Sequence, residues 1–158
     1  MAKTQRSRSS ATKTPTRTAR TRTTAKRGAP KLPKTVATAV RAARDKKAQD
    51  IIVLDLRNAG GFTDYFVICT GNNARQINAI ADSVRDLLRS ELDERPALTE
   101  GVDRSEWILL DYFNFVVHVF SRECRSFYGL ERLWGDAPNV TAEYTGEAER
   151  SRGLKKTS

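Results

Sequence analysis

The chain has 158 residues, 39% of them hydrophobic, with 28 Lys and Arg against 19 Asp and Glu. That length holds one compact domain with a tail or two and excludes two full domains. Two cysteines, Cys69 and Cys124, are too few for a stapled secreted scaffold and have no C-x-x-C or metal-ligand spacing, so they read as reduced thiols.

The basic excess is local. Residues 1–34 carry eleven Lys and Arg, eight Thr, three Pro and no acidic residue, with no Ile, Leu, Val or aromatic residue before Leu32. Such a segment cannot bury enough apolar area to offset its ordering entropy and is expected to be disordered when free. Its composition suits either a transit peptide or a basic arm on RNA phosphates. The arm is preferred, because a presequence needs an amphipathic helix and this stretch has nothing to build an apolar face. Residues 35–158 carry seventeen basic and nineteen acidic residues, a balance of −2. No apolar run approaches the ~20 residues that cross a bilayer, and a secretory h-region is missing, so a soluble, cytoplasmic protein is expected.

From Thr35, Val36, Ala39, Val40 and Ala43 recur at helical spacing, predicting a short helix to about Lys47. The run Ile51-Ile52-Val53-Leu54-Asp55-Leu56 reads as a strand buried on both faces, broken by Asn58-Ala59-Gly60-Gly61. Tyr65-Phe66-Val67-Ile68-Cys69-Thr70 is a second buried strand, ended by Gly71. Asn73 and Gln76 form a capping-box pattern. The helix behind it carries Ile77, Ile80, Ala81, Val84, Leu87 and Leu88 on one stripe, and Arg75, Asp82, Arg85, Asp86 and Arg89 opposite. Arg95-Pro96 closes that unit, and a short strand is placed at Ala97–Thr99. Trp107 to Asp111 and Phe115 to Phe120 form a hairpin, with Asn114 as the candidate for a positive φ in the turn. Ser121 caps a short helix through Tyr128, which Gly129 ends. Leu130 to Trp134 packs back, and residues 139–158 read as a disordered polar tail. The sum is an α/β fold: one domain over residues 35–138, with a mixed sheet of about five strands flanked by helices.

Little in this pattern supports catalysis. Walker, G-x-G-x-x-G and G-x-S-x-G motifs are all missing. His118 is the one histidine; it alternates with Val116 and Phe120 along a strand and reads as a structural or interface residue. One His and two distant Cys cannot fill a zinc shell. The strand–helix layout with Thr70-Gly71-Asn72 resembles that of nucleotidyltransferases, but those enzymes hold two metals on a D-x-D or D-x-E pair. Asp111 is followed by Tyr112, Phe113 and Asn114, and Asp50 and Asp55 point to opposite faces of a strand. No metal, cofactor or enzymatic activity is expected.

Five segments taken in order resemble a known family: Gln49 to Leu56, Phe62 to Gly71, Trp107 to Tyr112, Val116 to Phe120, and Phe127-Tyr128-Gly129-Leu130-Glu131-Arg132-Leu133-Trp134-Gly135-Asp136-Ala137-Pro138. Their order and spacing are similar to those of the ribosomal silencing factor RsfS/Iojap family, over about residues 35–138. The resemblance implies a nucleotidyltransferase-like fold without catalytic residues. It implies a partner too, the large ribosomal subunit through its L-fourteen protein, with small-subunit joining blocked sterically and translation repressed. Contact candidates carried over by position are Trp107, Asp111, Tyr112, His118, Tyr128, Glu131 and Trp134. Trp and Tyr suit an interface centre, and carboxylates suit the rim facing a basic ribosomal protein. Relatives that form homodimers make a homodimer a possibility for this chain. Many relatives have Gly-Asp in the hairpin turn, where this chain has Phe113-Asn114; a Phe there either lengthens the loop or exposes an apolar tip. On the ribosome the basic arm would contact rRNA; the competing readings are an RNA-binding protein acting through that arm and a residual nucleotidyl-transferring enzyme.

Overall fold

The computed structural model describes residues 33–142; residues 1–32 of the expected basic arm and most of the expected polar tail lie outside the described residues, and Lys34, expected to end the arm, begins the first helix. The elements are α1 (Lys34–Asp45), β1 (Gln49–Asp55), β2 (Tyr65–Thr70), α2 (Ala74–Leu92), β3 (Leu98–Glu100), β4 (Trp107–Asp111), β5 (Phe115–Phe120), α3 (Arg122–Tyr128) and α4 (Leu130–Leu133). The strands form one mixed sheet in the order β1-β2-β5-β4-β3. Only β2 and β5 are parallel; the other three pairings are antiparallel.

The two central strands are the uninterrupted apolar ones, and every residue of β2 and β5 is buried. Strand alternation then divides the core in two. One face carries Val53, Val67, Cys69, Ile108, Leu110, Val117 and Val119 under α1 and α2. The other carries Leu54, Phe66, Ile68, Val116 and Phe120, with Trp107, Leu109, Cys124, Leu130 and Trp134 partly buried against them.

The α2 cap forms with one change. Asn73 accepts the Gln76 N–H at 2.8 Å, but the Gln76 side chain accepts from Asn72 rather than Asn73. Its amide also donates to the carbonyls of Lys46 and Lys47, so one side chain serves the start of α2 and the end of α1. Ser121 caps α3 by accepting from Cys124, and Gly129 ends that helix at φ +55°.

Three local expectations need correction. β1 is an edge strand whose burial on both faces is confined to its centre: Val53 and Leu54 are buried on opposite faces, while Gln49 and Asp50 are exposed. Its free edge is met by the segment expected to begin the polar tail. Asp55 N–H donates to Pro138, Val140 N–H to Val53, and Val53 N–H to the Thr141 hydroxyl. A strand edge with unpaired N–H groups is thereby covered, and the ordered body runs past Pro138. In the β4–β5 turn the positive φ belongs to Phe113, at +68°, not to Asn114.

Candidate docking surface

Trp107, Leu109 and Asp111 alternate onto the sheet face away from α1 and α2, while Ile108, Leu110 and Tyr112 turn toward those helices. The β3 residues opposite Asp111 and Leu109 are Leu98 and Glu100, so these share the first face. The chain after β5 returns over the β1–β2 side of that face, where Trp134 meets Phe66 edge-on at 5.9 Å. The β4–β3 side stays open. Leu98 is 47% exposed there, and Tyr128, 50% exposed, sits at 4.6 Å from the Trp107 ring.

Trp107 is half-buried and held from three directions. Its ring stacks on Phe120 at 4.9 Å, Tyr128 lies against it, and its indole N–H donates to His118 Nδ1 at 3.1 Å. Ile108 and Leu110 thus take the covered side and Trp107 the open one, with the indole a rim anchor rather than a free ring.

His118 lies beneath this surface, 3% exposed, edge-on to Phe66 at 4.7 Å. Burial lowers its pKa from the usual histidine value to about 4. Because Nδ1 accepts the indole proton, the neutral imidazole carries its own proton on Nε2, which has no hydrogen-bond partner among the described residues. The folded state therefore resists protonation that the unfolded chain accepts below about pH 6.5. Stability is complete above that value and falls as pH drops toward 4. Between pH 6.5 and 5 the loss should be about 2 kcal/mol, at ~1.4 kcal/mol per unit. Urea melts of the native protein across that window should show this slope, and His118→Phe should flatten it. An unchanged slope in the variant would assign the effect to other groups.

The remaining candidates separate. Tyr112 is not on this surface: it is 5% exposed under the helices, stacked on Phe115 at 4.7 Å, and burial raises its pKa. It follows the parity of Ile108 and Leu110, which counting along β4 would have given. Asp111 is on the open face, but one carboxylate oxygen accepts the Phe113 N–H at 2.8 Å and so shapes the turn. Glu131 is engaged within the protein, accepting from Arg125 Nε at 2.6 Å and pairing with the same guanidinium through a second nitrogen. Trp134 is half-buried against Phe66. The candidates missed by sequence reasoning are Leu98 and Leu109, whose exposure depends on β3 being the edge of the sheet.

Among the described residues no group of three His, Cys, Asp or Glu is placed to hold a metal ion. No described helix is long and apolar enough to cross a membrane.

Residues 29–158 match the family model described as ribosomal silencing factor during starvation, RsfS. The chain belongs to the ribosomal silencing factor family. It is 44% identical over 109 residues to the RsfS protein of Bacillus subtilis, covering 67% of this chain and 89% of that one. Identity to the RsfS protein of Halalkalibacterium halodurans is 40% over 105 residues, covering 66% and 89%. The fold is similar to a crystal structure of a Chromobacterium violaceum protein, with a TM-score of 0.62, 33% identity, and coverage of 65% of this chain and 84% of that one. RsfS proteins are non-enzymatic, ribosome-binding repressors of translation, and membership implies association with the large ribosomal subunit.

Proposed function

We propose that this silencing factor docks on the large subunit through its L-fourteen protein and blocks small-subunit joining by occupying the joining surface. The observation that carries this reading is the open β4–β3 face, where Trp107 packs against Tyr128 at one end and Leu98 lies exposed opposite Asp111 at the other, with Leu109 between them. Interface centres are enriched in Trp and Tyr that exclude water over a few well-packed contacts. Glu100, exposed on the same face, and Asp111 give an acidic border suited to a basic ribosomal protein. The reading places the protein in the cytoplasm with the ribosome, with residues 1–34 as an accessory basic arm.

The test is capture of purified large subunits with and without their L-fourteen protein; retention of binding to subunits that lack it removes that partner. The arm offers the second reading, since eleven cations bring affinity by counterion release whatever the docked body does. Deleting residues 1–34 should weaken subunit binding mainly at low salt and leave joining inhibition in place. A truncated protein that binds at no salt concentration would make the arm the principal binding element.

A further inference from the structure

Two phenylalanine side chains project from neighbouring loops at one end of the sheet. Phe113, in the β4–β5 turn, is 74% exposed, and Phe62, just before β2, is 77% exposed. The loops are bonded to one another: the Thr63 hydroxyl donates to the Phe113 carbonyl at 3.0 Å, and the Asp64 N–H donates to the Asn114 carbonyl at 3.0 Å. Thr63 is itself buried, so the junction is fixed rather than a passing surface contact.

Phe113 also has a backbone that its side chain disfavours. A φ of +68° at a bulky non-glycine residue is a true outlier and carries a backbone cost. The conformation is held by the Asp111 carboxylate on the Phe113 N–H, by Thr63 on its carbonyl, and by the Asn114 N–H donating to Tyr112 at 2.9 Å. In the isolated chain this arrangement strains the backbone and leaves an aromatic ring in water. Covering the ring removes the second of these costs.

The geometry points to the Phe62–Phe113 tip as a second anchor of the docking surface, inserted into an apolar socket on a basic ribosomal protein. The inference rests on the docking reading given above. Continuity supports it: Phe113 follows Asp111 by two residues, and Asp111 lies opposite the exposed Leu98 on the open face, so the tip adjoins that face. Charge selects the kind of partner. Asp64 and Asp111 flank the tip, and Arg57, at the same end of the sheet, is bonded to Asp55. Carboxylates beside exposed rings repel phosphates, which disfavours a stacked RNA base and favours a cationic protein surface.

The experiment measures affinity of the full-length protein for purified large subunits, beside the melting temperature. Phe113→Gly supplies the residue that tolerates a positive φ, so the variant should melt at or above the native temperature while binding roughly 10-fold more weakly, in the range of one interface aromatic. Phe62→Ser, which leaves the turn backbone alone, should weaken binding similarly. A photo-crosslinking phenylalanine analogue at position 113 should capture a ribosomal protein. Unchanged affinity in both variants, with Trp107→Ala still defective, overturns the tip and leaves the docking reading standing. Unchanged affinity in all three overturns both. Crosslinking to rRNA alone overturns the protein socket.

Discussion

Replacing Trp107 by alanine should weaken large-subunit binding by about 2 kcal/mol or more, roughly a 30-fold loss. The indole sits at the boundary between core and open face, stacked on Phe120 beneath and against Tyr128 beside it. Its removal takes away a rigid aromatic contact and also leaves His118 Nδ1 buried without its donor. Stability should therefore fall too, by about 2 kcal/mol, below the ~3–5 kcal/mol of a wholly buried Trp deletion. Melting temperature alone cannot separate core from contact at this position. Tyr128→Ala supplies the separation, because Tyr128 is half exposed and α3 buries none of its residues completely. That variant should melt within a degree or two of the native protein and still bind several-fold more weakly. Native affinity in both variants would remove β4 and α3 from the contact surface.

The sequence was most legible where one physical signal dominated. β2 and β5 are continuous β-branched and aromatic runs closed by Gly71 and Ser121, and both were placed to the residue. Asn73 and Gln76 marked the start of α2 because a side-chain cap is a local bond. β1 reads as a strand covered on both faces, and it lies at the sheet edge for a tertiary reason. Its apolar character on both sides is satisfied by α1 and Val140 on one face and by Trp134 and Ala137 on the other, not by a further strand. Phe113 was passed over because propensity favours Asn at positive φ; the Thr63 bond that holds it comes from a loop fifty residues away. Within the site, strand parity located Trp107. Glu131 looked free because nothing in Arg125-Ser126-Phe127-Tyr128-Gly129-Leu130-Glu131 shows that a chain reversal at Gly129 brings its two ends together.

That Arg125 link carries the largest expected stability effect. α3 has seven residues, α4 has four, and neither contains a fully buried side chain. Helices this short do not form alone in water, so their position depends on what ties them to the sheet. Arg125 is that tie: its guanidinium is bonded to Glu131 and also donates to Thr70 Oγ1 at 2.7 Å and to the Asp50 carbonyl at 2.7 Å. One planar group thus joins α3 to α4, to the end of β2 and to the start of β1. Arg125→Ala should cost about 2–3 kcal/mol, the scale of losing charge-assisted hydrogen bonds in a mostly covered setting. Arg125→Lys should recover little, because a single ammonium cannot reach acceptors spread around a fork. The loss should be local first. Amide exchange over residues 122–134 should accelerate before the β2–β5 pair opens, since a segment held by few contacts unfolds sub-globally. Tyr128 and Trp134 ride on this segment, so subunit affinity should fall with its exchange protection, although Arg125 need not touch the partner. Faster exchange with native affinity would show that α3 and α4 cover the β1–β2 side of the sheet and take no part in docking.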